Sequence, residues 1–133
     1  MEERSADLAK AGSFEQDKRV VEGLFEVIHG RANLSRLDGI VAEDYVQHNP
    51  YIAQGREGLR EFFARVLSLP EEERLDPSKT IEVRLVSEGG FVLRHEVRED
   101  GVLFDLFRVR EGLLVEHWDA FRPAPGAAPI FGL

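Results

Sequence analysis

The chain of 133 residues contains no cysteine, which excludes disulfides, thiol chemistry and thiolate metal ligands. Basic side chains are also scarce, since 17 Lys and Arg stand against 25 Asp and Glu and leave a formal net charge of −8. Non-specific binding to nucleic acid or to an anionic membrane needs a basic face, so neither partner is expected. The lack of cysteine is consistent with a cytoplasmic protein, because thiols stay reduced in that compartment.

Long apolar runs and internal repeats are missing as well. The charged start MEERSADLAKAGSFEQDKR predicts neither a signal peptide nor a transmembrane span. A hydrophobic content of 43% is enough for a single core. We therefore expect a frayed polar N-terminus over residues 1–12, one domain over 13–122, and a Pro/Gly/Ala-rich C-terminal tail over 123–133.

The spacing of apolar side chains changes along the chain from a helical period to a period of two. The first part predicts a helix over 14–29, a short helix over 35–42 and a helix in LREFFARVL, with the extended piece EDYVQHNP between the last two. From Thr80 onward, TIEVRLV, FVLRHEV, VLFDLFRV and LLVEHWDAF predict four strands joined by short turns, hence antiparallel neighbours. This order predicts an α+β fold with helices packed on one face of a curved sheet.

The register of the last two hairpins decides which polar side chains face the helices, because a slip of one residue moves every side chain to the other face. With two-residue loops at 100–101 and 111–112, Asp105 would lie opposite Glu96 and Trp118, and the covered face would carry much charge. With three-residue loops that contain a left-handed glycine, Asp105 would lie opposite His95 and His117. The second register separates apolar from charged residues better, so it is the preferred prediction.

The preferred register gathers His95, Asp105, His117 and Asp119 on one apolar face. A buried carboxylate without a partner costs several kcal/mol, so Asp105 must be paired, protonated or in contact with water. Such a group is suited to general acid–base catalysis, and the alternative is a satisfied polar network that only fixes the register. His48, in the loop before Pro50, is a further candidate that can also be merely solvent-exposed.

Metal and nucleotide sites find little support in the spacing of the residues. Three histidines and an aspartate are a legitimate ligand set, but no HxH or HxxxH spacing occurs, so no metal is expected. Neither GxGxxG, a P-loop nor GxSxG is present, which removes the usual signals of nucleotide binding and of serine hydrolases.

Four stretches together resemble the SnoaL-like branch of the nuclear transport factor 2-like superfamily: YVQHNP, GREGLREFF, RHEV and FDLFRVREGLLVEHWDAF. The resemblance spans about residues 14–121, and the tail PAPGAAPIFGL matches no family element. It implies a cone-shaped α+β fold in which helices lie inside a strongly curved antiparallel sheet, with a pocket at the open end. Many members are homodimers that pair through the outer sheet face, where Trp118 would suit an interface.

The resemblance bears on function less directly, because relatives include polyketide cyclases, ketosteroid isomerase, limonene epoxide hydrolase and binding modules without catalysis. The leading hypothesis is cofactor-free proton transfer on a mostly apolar carbonyl substrate. Asp105 would be the acid or base, paired with His95 or His117, while His48 would position a substrate oxygen. The alternatives are a non-catalytic binding protein for a small apolar ligand and a hydrolase in which Asp105 activates water. The predicted substrate contacts are Tyr45, Phe62, Phe63, Phe107 and Asp119.

Overall fold

The computed structural model describes residues 14–30 and 33–128, which form two α-helices and five strands. The predicted frayed segment 1–12 and residues 129–133 of the tail lie outside this range. Helix α1 (Phe14–Ile28) is followed by a 3₁₀ helix (Leu34–Gly39), strand β1 (Val41–Gln47) and helix α2 (Gly55–Ser68). Four strands complete the described fold: β2 (Thr80–Glu88), β3 (Phe91–Arg98), β4 (Gly101–Arg110) and β5 (Leu113–Pro123).

The strands form one sheet in the order β1-β5-β4-β3-β2. Strands β2 to β5 are an antiparallel meander, as the short turns predict, whereas β1 runs parallel to β5 at the edge. The backbone bonds Leu114 N–H to Ile40 O (2.8 Å) and His48 N–H to His117 O (3.2 Å) join β1 and its flanks to β5. The α+β fold with a curved sheet is confirmed, and the piece EDYVQHNP, which was predicted only as extended, belongs in part to β1 and so to a parallel edge strand.

Helix α1 packs its apolar stripe onto the concave face of the sheet. Val21, Leu24 and Phe25 on the helix are buried against a core that includes Val92 and Phe107 from the strands. This packing closes the inner face and leaves the opposite face of the sheet uncovered by any described helix. Within the described residues, no helix is long and apolar enough to cross a membrane.

The hairpin β3–β4 has a different register from the one preferred on sequence grounds. Its loop is the two-residue turn 99–100, so that Arg98 pairs with Gly101 and Arg94 pairs with Asp105. This register places Val92, Arg94, Glu96 and Arg98 on the inner face. His95 lies on the outer face, where the imidazole packs on Phe104 with ring centroids 5.0 Å apart. The predicted pairing of Asp105 with His95 is therefore wrong.

The inner face of β3 tolerates its charges because they neutralise one another. The Glu96 carboxylate accepts hydrogen bonds from Arg94 Nη1 and, at 2.7 Å, from Arg98 Nη1, and Arg98 also donates to Asp100. The Arg94 guanidinium lies 3.7 Å from the centroid of the Phe25 ring, a cation–π contact with α1. Segregation of apolar from charged residues is thus a poor guide for this strand, since a paired charge can be buried where an isolated one cannot.

The hairpin β4–β5 turns His117 and Asp119 inward, as predicted, but through a β-bulge instead of a three-residue loop. Its turn is the two-residue loop Glu111-Gly112, with φ of 52° and 77°, rather than a three-residue loop. A β-bulge follows, because Val109 pairs with Leu114 while Arg108 pairs with Glu116, so Val115 has no partner. The extra residue reverses the alternation of β5 and turns His117 toward the helices.

Candidate functional site

The centre of the site is a hydrogen-bonded pair formed by Asp105 on β4 and His117 on β5. His117 Nε2 lies 2.8 Å from Asp105 Oδ1, and both residues are buried, each with 6% of its surface exposed. The two residues are not direct cross-strand partners, since Asp105 pairs with Asp119 and His117 with Phe107. The contact is therefore diagonal, and one proton can be shared across it.

The second oxygen of Asp105 is the unusual atom of this site. Oδ2 is buried and has no hydrogen-bond partner, while Oδ1 is held by His117. Buried polar atoms are nearly always paired, so an unpaired carboxylate oxygen calls for an explanation such as a ligand or a catalytic role. Asp105 also lines a cavity, which gives this oxygen a place where a ligand atom can reach it.

The cavity lies between the helices and the inner face of the sheet, and its wall is mostly apolar. Its volume is about 60 Å³, which is smaller than the roughly 300–1,000 Å³ of pockets that enclose drug-sized ligands. Asn49, Asp105, His117 and Asp119 form its polar part. The apolar part of the wall consists of Leu24, Phe25, Ile28, Ile52, Phe62, Phe63, Val66, Leu75, Leu103 and Phe107.

Two side-chain amides, Gln47 and Asn49, belong to the site and were missed by the sequence analysis. Gln47 Oε1 lies 2.9 Å from His117 Nδ1, and Asn49 Nδ2 donates to Asp119 Oδ2 at 3.3 Å. Both amides are buried. The signal that could have found them is the alternation of a strand, because residues 45, 47 and 49 share one face once Tyr45 is placed inside.

Asp119 is the second carboxylate of the site. Burial raises its pKa, and the nearby Asp105 carboxylate raises it further, against the opposing effects of His117 and of the hydrogen bond from Asn49. Its Oδ2 lies 3.9 Å from His117 Nε2. Asp119 therefore keeps its proton to a higher pH than an ordinary aspartate.

Aromatic rings fix the position of the His117 imidazole. Phe107 stacks on it with ring centroids 4.5 Å apart, and Tyr45 lies nearly parallel at 6.5 Å. Burial, followed by the charges of Asp105 and Asp119, raises the pKa of Tyr45 well above its usual value, so its hydroxyl stays neutral. Phe62, Phe63 and Phe107 line the cavity as the sequence predicts, whereas Tyr45 lies outside its lining and contacts the imidazole.

The structure separates His48 and His95 from this group. The His48 side chain is 41% exposed, its Nε2 lies 2.7 Å from Glu116 Oε2, and its ring stacks on Trp118 with centroids 4.8 Å apart. Glu116 belongs to the opposite face of β5 from His117, and His95 lies on the outer face of β3. Neither histidine reaches the cavity, so the geometry does not support the predicted roles of His48 and His95.

Asp105, His117 and Asp119 are also the one group in the described part of the chain that could hold a metal ion. Their ligand atoms lie within 4.8 Å of one another. One imidazole nitrogen and two carboxylates are acceptable donors for a divalent cation. However, His117 Nε2 and Asp105 Oδ1 already share a hydrogen bond, and a metal would have to displace that proton. The absence of a metal remains a prediction.

Comparison with known proteins identifies the family. The family model of the SnoaL-like domain matches residues 21–117. No curated protein sequence matches the chain. Solved structures include TsrD from Streptomyces laurentii, which is 20% identical with a TM-score of 0.63 over 80% of this chain and 88% of that one.

Two further solved structures share the fold. A putative ketosteroid isomerase from Kribbella flavida DSM 17836 is 22% identical, with a TM-score of 0.59 over 88% of this chain and 85% of that one. An LEH-like epoxide hydrolase from M. tuberculosis is 14% identical, with a TM-score of 0.60 over 83% of this chain and 85% of that one. At these identities the structures establish the architecture alone, whereas the family model covers most of the chain. The chain therefore belongs to the SnoaL-like family and has the nuclear transport factor 2-like fold.

Proposed function

We propose that this protein is a small-molecule enzyme that performs cofactor-free acid–base chemistry, of the cyclase or isomerase type, on an apolar substrate with a carbonyl group. The observation that carries the proposal is the state of Asp105: Oδ2 is buried without a partner beside an apolar cavity, and Oδ1 is bound to His117. A carboxylate held in this way presents a free, desolvated oxygen to a bound molecule.

The two carboxylates have unlike environments, and this difference assigns their roles. Asp105 Oδ2 takes a proton from the carbon next to the substrate carbonyl, and the C–H electron pair moves into an enolate. Asp119, whose pKa is raised by burial, donates a hydrogen bond to the developing oxyanion when it is protonated. In an isomerase the enolate is conjugated with a C=C bond, and Asp105 returns the proton to the far carbon of that system. In a cyclase the enolate carbon attacks a second carbonyl, and the alkoxide oxygen that forms takes the proton from Asp105.

The small cavity restricts what can be enclosed. A volume of about 60 Å³ accommodates only the reacting end of a substrate while the side chains stay in place. Phe62 and Val66 line both this cavity and a neighbouring groove with Tyr51 and Leu69, so the apolar surface continues outward. We infer that compact ketones, or the compact ends of larger molecules, are the compounds to test.

The proposal predicts exchange of carbon-bound protons in the absence of any natural substrate. With 2-methylcyclohexanone in D₂O, the wild-type protein is expected to speed the loss of the α-proton signals in the ¹H NMR spectrum above the buffer rate. Exchange should fall as pH rises through the elevated pKa of Asp119, since the acid is then lost. Heat-denatured protein is the control. A rate equal to that of buffer, in a sample that binds the ketone, contradicts catalysis and supports a non-catalytic binding protein.

The hydrolase alternative uses the same pair of carboxylates. Asp105 would take a proton from a water molecule, which attacks an epoxide carbon, while Asp119 would protonate the epoxide oxygen. Cyclohexene oxide tests this alternative, because ring opening to the diol is detected directly. Diol formation without ketone exchange would replace the isomerase proposal with the hydrolase one.

We also propose that the protein forms a homodimer through the outer sheet face, as the resemblance implies. This face exposes large apolar side chains, including Val86 (53% exposed), Phe91 (39%) and Phe104 (40%), and no described helix covers it. Exposed apolar patches of this kind commonly mark interfaces. A stable interface buries about 800 Å² on each partner.

Introducing a charge on this face should break the dimer. In sedimentation velocity, the wild-type chain is expected to run as a dimer and the Phe104→Glu variant as a monomer, because an unpaired carboxylate cannot be buried cheaply at an interface. Leu69→Glu is the matched control, since Leu69 is similarly exposed (37%) at the end of α2, on the helical side. A monomeric wild-type protein would contradict the proposal.

A further inference from the structure

We propose that Gln47 is a positioning residue that holds His117 with its proton on Nδ1, so that Nε2 always faces Asp105. The proposal rests on a chain of contacts that runs from the backbone N–H of Asn49, through Gln47 Oε1, to His117 Nδ1. This inference rests on the proposed acid–base function, but the ring tautomer can be observed whether or not the protein turns over a substrate.

The backbone of Gln47 is fixed on both sides by one residue. Gln54, just before α2, accepts a hydrogen bond from the Gln47 N–H at 2.9 Å and donates from Nε2 to the Gln47 carbonyl at 2.6 Å. These two bonds act like a strand partner at the free edge of β1. The Gln47 side chain therefore starts from a defined backbone position.

The backbone N–H of Asn49 determines how the Gln47 amide is oriented. The Asn49 backbone N–H lies 3.1 Å from Gln47 Oε1, and a backbone N–H can only donate. The atom facing it must be the oxygen, since the NH₂ group would place two donors against each other. The same oxygen lies 2.9 Å from His117 Nδ1, so the imidazole must donate there.

A proton on Nδ1 determines what the other ring nitrogen can do. Nε2 faces Asp105 Oδ1 and carries either a lone pair, which accepts from a protonated Asp105, or a second proton, which is donated to the carboxylate. Both states keep the bond to Gln47. The remaining titratable groups around the ring are Asp119 on β5 and Tyr45 on β1, and neither reaches Nδ1 through any described contact.

The consequence concerns the free oxygen of Asp105. As long as Nδ1–H is held by Gln47, every proton that His117 exchanges passes through Nε2 and Asp105 Oδ1. Asp105 Oδ2 then remains available to the substrate. Release of Nδ1 would let the ring adopt the other neutral tautomer and spread the proton over two sites. Gln47 thus acts on the reaction through His117, without touching the substrate.

The ring tautomer can be read by NMR on the full-length protein. In protein labelled with ¹⁵N-histidine, long-range ¹H–¹⁵N spectra distinguish protonated from unprotonated ring nitrogens, and His117→Asn identifies the signals of His117 among the four histidines. We expect Nδ1 of His117 to have the shift of a protonated nitrogen at every pH at which the protein is folded. If the wild-type spectra show a neutral His117 ring with Nδ1 unprotonated, the proposal is wrong, and no variant is needed to decide this.

Substitutions of Gln47 test whether this residue is the cause. Gln47→Leu removes the acceptor, and signals of the Nε2–H tautomer should appear. Gln47→Glu keeps an acceptor for both donors and should retain the Nδ1 signal of the wild-type protein. Gln16→Leu, on exposed surface of α1, is the matched control. If the Gln47→Leu variant folds and its Nδ1 shift is unchanged, Gln47 does not position His117. If that variant does not fold, loss of the Nδ1–H signal in Gln47→Glu overturns the role of Gln47.

The two proposals fail in different experiments. If the α-proton exchange assay is negative but the tautomer spectra are as expected, the acid–base function is wrong and the positioning by Gln47 stands. If exchange is observed in wild-type protein whose His117 carries its neutral proton on Nε2, the function stands and the positioning role is wrong.

Discussion

Replacing Asp105 by Asn is expected to lower α-proton exchange by about 10²- to 10⁴-fold, the usual contribution of a positioned acid or base. The amide has nearly the shape of the carboxylate but cannot accept a proton at the position of Oδ2. Affinity for the ketone should change little, because the apolar wall of the cavity is untouched. Exchange is measured by NMR, and affinity by titration calorimetry.

Matched controls separate this effect from general damage to the sheet. Glu116→Gln removes a carboxylate from the next strand on the opposite face, and His95→Gln removes an imidazole from the outer face of β3. Both variants should exchange at the wild-type rate. Full activity of Asp105→Asn would show that this residue is not the base, and equal losses in all three variants would point to a structural cause.

Replacing Glu96 by Ala is expected to destabilise the protein by about 3–5 kcal/mol, because it leaves two buried guanidinium groups without their shared counter-ion. Glu96 is 1% exposed and lies between Arg94 and Arg98 on the inner face of β3. Urea denaturation followed by tryptophan fluorescence measures the free energy of unfolding, since the chain has one Trp.

The exposed pair of Glu82 and Arg84 offers the control. Its two side chains are 53% and 61% exposed, and Glu82→Ala should cost no more than about 1 kcal/mol. If Glu96→Ala costs as little as Glu82→Ala, the buried hydrogen bonds of Glu96 with Arg94 and Arg98 do not stabilise the protein.

The hydrogen bonds of Glu96 with Arg94 and Arg98 also make the stability of the protein depend on pH. Burial alone would raise the pKa of Glu96, but the hydrogen bonds from Arg98 and Arg94 outweigh it and hold the pKa below its usual value. The stabilisation is therefore complete above the unfolded value of about 4.3 and is lost as pH falls through the lower folded value. A Glu96→Gln variant should lack this component of acid unfolding.

Periodicity predicted most elements of the fold, although the short helix expected over 35–42 is a 3₁₀ helix over Leu34–Gly39 that is followed by β1. The helix over 14–29, the helix in LREFFARVL and four strands from Thr80 onward all occur, because each follows from local spacing of apolar side chains. The parallel strand β1 was predicted only as an extended piece. Its partner, β5, is about seventy residues away, and no local pattern records such a pairing.

The site was predicted in part, for reasons that differ between its residues. Asp105, His117 and Asp119 were placed on one inner face by assuming a three-residue loop, and the bulge at Val115 gives them the same orientation from a two-residue turn. His95 was misplaced, since the rule that charges face water overlooked the paired arginines and glutamate of β3. Gln47 and Asn49 were missed because neutral amides carry no motif or charge that marks them, and the histidine between them, His48, points outward.

The sequence by itself determined the α+β class, the family and the presence of a carboxylate–imidazole group in the last hairpin, since these depend on local periodicity and on motif residues. Only the tertiary structure decided which partners that group has. The two-residue turn at 99–100 and the bulge at Val115 set the registers, and the contact of β1 with β5 brought Gln47 to His117. Registers and long-range pairings are fixed by the burial and hydrogen bonding of the whole sheet, which no single segment encodes.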